Sequence, residues 1–135
     1  MSYLAIDYGK KRIGLAIGAV MPRGVGVLDG QLPWDDLFLR IEKICKSEDV
    51  ETIVIGLPIR SQGEEGTLAG EIRRFGAQLH AATSLPVVFE PEQFTSTEAL
   101  QQIKEHKKNY DCKGEIDELA AVLLLEQYLA HSQEK

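Results

Sequence analysis

A chain of 135 residues, 44% hydrophobic and 27% charged, is long enough for one packed core and short for two. A formal net charge of −6 argues against a protein that coats nucleic acid by bulk attraction. No apolar run reaches membrane-spanning length, and the N-terminus shows no basic-then-apolar leader. Two distant cysteines, Cys45 and Cys112, read as reduced thiols of a cytoplasmic protein, with Cys45 in a helical core. We therefore expect a single domain over residues 1–135, with no membrane contact.

Residues 3–8 and 12–18 alternate as two strands joined by a tight turn at Gly9, and "GVGVLDG" at 24–30 adds a third. "PWDDLFLRIEKICKSE" changes to helical spacing, with Pro33 at its entry and Leu37, Ile41, Ile44 and Cys45 on one face. "TIVIGLP" at 52–58 is a short, continuously apolar run, the pattern of a strand buried on both faces and paired in parallel. After the glycine-punctuated "RSQGEEG", Leu68, Ile72, Phe75, Leu79 and Ala82 form a helical stripe through residue 83. "LPVVFE" is a further buried strand, and Thr95 or Ser96 can cap a helix starting near Thr97. "IDELAAVLLLEQYLAH" is the final helix, opened by Asp117. The order predicts an α/β fold: a mixed five-stranded sheet flanked by helices on both faces, the ribonuclease H-like architecture.

The carboxylates carry the chemistry. Asp7 stands inside a strand, where an isolated charge is costly, so a metal ion, a basic side chain or a helix terminus must compensate it. Ligands of open α/β sheets gather at the carboxyl ends of strands, and Glu90 and Glu92 end the "LPVVFE" strand and its extension. Asp117, with Ala120 and Ala121 after it, lies where small side chains let a helix approach the sheet closely. Taken singly, Asp117 reads equally well as a first-turn acid and Glu92 as a loop carboxylate. Taken together, three carboxylates about 4 Å apart would repel by about 4 kcal/mol per pair at an effective dielectric near 20. A divalent cation relieves that repulsion, and hard oxygen ligands with no nearby His or Cys select Mg²⁺ or Mn²⁺ over zinc. Two basic clusters accompany the acids, Lys10, Lys11 and Arg12 on the first hairpin and Lys104, Lys107, Lys108 and Lys113 near the C-terminal end. His80, His106 and His131 have no ligand spacing and read as surface residues, and Trp34 reads as a packing cap on its helix.

"AIDYGKKRIGLAIG", "IVIGLPIRSQGEEG", "LPVVFEPEQFTSTEA" and "IDELAAVLLLEQYL", in that order over nearly the whole chain, resemble the YqgF/RuvX family. That family is described as pre-16S ribosomal RNA nucleases and as Holliday junction resolvases on a ribonuclease H-like fold. The resemblance implies a metal-dependent endonuclease that hydrolyses phosphodiester bonds in structured RNA or branched DNA, first of all in pre-16S rRNA processing. It puts the family's catalytic and metal-holding acids on Asp7, Glu92 and Asp117, with Mg²⁺ or Mn²⁺ as cofactor. Lys10, Lys11 and Arg12 are the expected phosphate contacts, with Arg60 and Lys113 as further candidates. Where the family carries Asp-Glu-Arg, this chain reads Pro91-Glu92-Gln93, so a charged phosphate fork is replaced by an amide. Glu90 is an extra carboxylate that we expect to take over part of the lost acid's role as a metal ligand.

Three other functions compete. A Holliday junction resolvase-like DNA nuclease would use the same acids, and a catalytically degenerate member would bind nucleic acid without cutting it. The aspartate–glycine-turn hairpin also resembles the phosphate-binding hairpin of actin-like ATPases and sugar kinases, which need two such domains to enclose ATP. A monomer or a weak homodimer suits the sequence equally.

Overall fold

The computed structural model describes residues 2–58, 67–92 and 113–132. Five strands form one sheet: β1 (Ser2–Asp7), β2 (Arg12–Gly18), β3 (Arg23–Asp29), β4 (Val50–Pro58) and β5 (Val87–Glu92). Three helices are described, α1 (Trp34–Ser47), α2 (Thr67–Thr83) and α3 (Lys113–Ser132). The sheet order is β3-β2-β1-β4-β5. The pairs β1/β2 and β2/β3 are antiparallel, and β1/β4 and β4/β5 are parallel, as the hairpin and the continuously apolar run each predict.

Alternation along the strands divides the side chains between two layers. Leu4 and Ile6 of β1, Ile13, Leu15 and Ile17 of β2, and Ile53, Ile55 and Leu57 of β4 join one core with Leu37, Phe38, Ile41 and Cys45 of α1 and Ile72, Phe75 and Leu79 of α2. Phe75 is its hub: the rings of Tyr8, Trp34 and Phe38 lie 4.9, 5.4 and 5.2 Å from it, Trp34 edge-on. The intervening residues Ala5 and Ala16 face the other way and pack with Ala121, Leu124, Leu125 and Leu129 of α3.

Several expectations are corrected. Ala82, expected on the buried stripe, is exposed in the last turn of α2. Phe38, which the α1 stripe omits, is buried against Phe75. Strand β5, expected to be buried, lies at the sheet edge with Val87, Val88 and Phe89 half-buried; it ends at Glu92 as expected, and the edge position tolerates Pro91, which has no N–H. Helix α3 begins at Lys113, so Asp117 is its fifth residue rather than its opening one. The helix expected near Thr97 lies outside the described residues, as do Gly63, Gly66, Gln93, Arg60, Lys104, Lys107 and Lys108.

Candidate nucleic-acid cleavage site

The site grows from the ends of β1 and β2. In β1, Tyr3 and Ala5 pack toward α3, so the two-residue period puts Asp7 on that same face. Asp7 is the last residue of β1, half-buried, and its antiparallel partner is Gly14 of β2. Gly14 is where α3 touches down. A Cβ built there would collide with the backbone carbonyl of Asp117, so any side chain at this position would push the helix off the sheet. Gly24 on β3 repeats the device one strand further out, leaving room for the Glu118 side chain. Two glycines thus bring the N-terminal part of α3 onto β2 and β3, and Gly14 brings Asp117 to the level of Asp7.

Asp117 has a cationic partner. The Arg12 Nε donates to its Oδ2 at 2.7 Å, with the two side chains 40% and 25% exposed. Because α3 starts four residues earlier, Asp117 lies beyond the first turn, where the helix dipole has largely decayed, so Arg12 rather than the dipole is its compensation. Arg12 shares the two-residue period of Gly14 and Ala16 and therefore reaches the α3 face. Lys10 and Lys11 are exposed in the connection between β1 and β2, beside Asp7.

Glu90 belongs to another part of the same face. It is 7% exposed, pairs in register with Gly56 of β4, and accepts a hydrogen bond from Gln127 Nε2 at 2.9 Å. The same amide donates to the Pro91 carbonyl at 2.8 Å. Gln127 stands ten residues beyond Asp117, roughly 15 Å along the helix axis. The structure therefore ties Glu90 to the C-terminal half of α3 and away from Asp117. Glu92 ends β5 two residues further on, paired with Pro58; its side chain, like that of Lys113, is outside the described residues. Among the described residues no group of three acidic, histidine or cysteine side chains converges on one point. The sheet does bring Asp7 and Asp117 to Gly14.

The donor chemistry fits a hard divalent cation. Asp7 and Asp117 offer carboxylate oxygens, while Cys45 is buried in the opposite layer and His80 of α2 bonds the Leu85 carbonyl at 2.7 Å. Three features escaped sequence reasoning: the Arg12–Asp117 pair, the Gln127 tie to Glu90, and the link from the Tyr8 hydroxyl to Glu71 Oε2 at 2.6 Å. Burial, and then the Glu71 carboxylate, push the Tyr8 hydroxyl up to about 12, so it stays a donor and pins the end of β1 to α2. For the first of these the sequence does hold a signal that went unread, Gly14, since a glycine inside a strand marks close approach of another backbone.

Comparison with known proteins bears on the family and the fold. The profile of the RuvX family, described as Holliday junction resolvase, matches residues 1–131. A protein of Aeromonas salmonicida named "Putative pre-16S rRNA nuclease" is 35% identical over 136 residues, covering 95% of this chain and 94% of its own length. A Syntrophus aciditrophicus protein of the same name is 36% identical over 142 residues, covering 100% and 93%. Among solved structures, T. thermophilus RuvC in complex with Holliday junction substrate superposes with a TM-score of 0.63 over 98% of this chain and 96% of that one. Their identity is 15%, so that likeness speaks for the shared RuvC-like, ribonuclease H-type fold alone. On the family profile and the extent of these matches, the chain belongs to the RuvX family.

Proposed function

We propose that this protein is a cytoplasmic nuclease that hydrolyses phosphodiester bonds in the precursor of 16S ribosomal RNA, with Mg²⁺ or Mn²⁺ held by Asp7, Asp117 and Glu92. The observation that supports the reading is the meeting of Asp7 and the α3 backbone at Gly14, which brings the backbones of two acidic residues to the same point of the sheet. When bound, the cation supplies Lewis-acid stabilisation of the charge that develops on the phosphate and lowers the pKa of the attacking water. The chain's own residues orient and position. Asp7 is anchored by the β1–β2 ladder and Asp117 by the seating of α3, so neither carboxylate depends on a loop for its location. Lys10 and Lys11, exposed beside Asp7, attract the phosphate backbone on an otherwise acidic protein. Arg60 and Lys113 are further phosphate contacts in this reading. Glu90, buried and bonded by Gln127, is a structural acid here rather than a cation ligand. The protein acts as a monomer or weak homodimer.

The names of the curated relatives support the RNA substrate. The family description, Holliday junction resolvase, supports a second reading in which the same acids cut branched DNA. The experiment that decides is cleavage of a 16S rRNA precursor and of a four-way DNA junction with Mn²⁺, by wild type and Asp7→Asn. We expect cleavage of the RNA to fall by more than about 100-fold in the variant, beyond the usual cost of losing a residue that only supports a ligand. Equal rates in the two proteins would overturn the nuclease reading, and cleavage of the junction alone would replace the substrate.

A further inference from the structure

The ion pair between Arg12 and Asp117 is lopsided. Its carboxylate is fixed by the backbone, because the Asp117 carbonyl occupies the space over Gly14 and the helix cannot shift without losing that seat. Its guanidinium is 40% exposed, sits on the first residue of β2 and makes a single contact through Nε. Among the described residues no acceptor engages its terminal Nη atoms, so half of the fork is unused. Arg12 is therefore the partner free to move, and Asp117 the partner that stays.

We propose that Arg12 is an exchangeable counter-ion: it neutralises Asp117 while no cation is bound there, and turns its guanidinium to a backbone phosphate when one is. The inference rests on the reading above in taking Asp117 as a cation ligand. Ion pairs this exposed contribute little to stability, so Arg12 leaves at small cost. A guanidinium held beside a divalent cation would instead suffer repulsion between a single and a double charge, which outweighs the pair it would keep. Once released, its planar donors match the oxygens of a phosphate better than any lysine in the hairpin can. Departure from Asp117 and arrival at phosphate are then two halves of one movement, and cation and nucleic acid each tighten the binding of the other by the same factor.

The test reads the arginine itself. The Arg12 Nε–H signal, assigned through bonds in wild type, is followed by proton–nitrogen correlation spectra during a Mg²⁺ titration without nucleic acid. It should move with the midpoint of cation binding, toward its position in Asp117→Asn. Calorimetry with Mn²⁺ should show Arg12→Gln binding about three- to fivefold more tightly than wild type, since no ion pair has to be given up. A signal that stays in place while the cation saturates, with equal affinity in both proteins, overturns the exchange and leaves the cation site standing. Absence of Mn²⁺ binding to both proteins removes the cation site and the exchange with it. The wild-type titration holds even if the variant fails to fold.

Discussion

On the face covered by α1 and α2, the strands present Leu4, Ile6, Ile13, Leu15, Ile53 and Ile55, all essentially inaccessible and packed around Phe75. On the face covered by α3, β1 and β2 present Ala5, Asp7, Gly14 and Ala16. Large branched side chains hold a helix at ordinary packing distance from a sheet and leave no room for charge. Small ones let the helix backbone descend onto the strand, and that descent brings Asp117 level with Asp7. One face supplies the burial that holds the fold; the other gives up burial so that polar groups can meet.

Substitutions that strike one face and spare the other test this division. The largest effect belongs to Phe75→Ala, which empties the hub touched by Tyr8, Trp34 and Phe38. We expect a loss of about 3–5 kcal/mol in urea unfolding, with cation affinity of the folded fraction unchanged. Gly14→Ala adds one methyl group on the opposite face, against a backbone carbonyl that cannot rotate away. It should cost about 1–3 kcal/mol and, unlike Phe75→Ala, weaken Mn²⁺ binding because Asp117 is displaced. Gly70→Ala is the matched control: a Cβ there meets nothing nearer than the flexible Arg74 side chain at 3.7 Å, so α2 should gain about 0.5–1 kcal/mol. Equal costs for the two glycine substitutions would erase the distinction between the faces.

The last test is one of pH. Burial pushes the Cys45 thiol up to about 11 from an ordinary value of 9.0, and the Tyr8 hydroxyl up to about 12 from 10.0. Both groups hold their protons more tightly folded than unfolded. The stability they contribute is complete below pH 9 and declines as the pH rises through 9 to about 12. Chemical denaturation across that window should show the decline, and Cys45→Ala should flatten its lower part, between pH 9 and about 11. A flat wild-type profile would mean that the apolar face admits water at these groups.

Hydrophobic periodicity, with its glycine and proline breaks, determined the order of the described elements, the parallel pairing of β4 and the helical stripes of Leu37, Ile41 and Cys45 and of Ile72, Phe75 and Leu79, because a two- or 3.6-residue period is a local property of the chain. The motif around Asp7 was legible too, since a carboxylate inside a strand demands a partner wherever the strand packs. How the other acids would be paired could not be read. The contact between Arg12 and Asp117 spans 105 residues, and that between Gln127 and Glu90 spans 37. Such pairs exist only once sheet order and helix seating have been settled by packing. Glu90 and Glu92 share a strand and a parity, and the run of α3 across the sheet brings Gln127 to Glu90, a pairing no spacing rule encodes. The sequence by itself determined that acids and bases would be needed at the open end of a mixed sheet. Only the tertiary structure decided that Arg12 would be the base to answer Asp117, because Gly14 lets a helix from the far end of the chain come down where β2 begins.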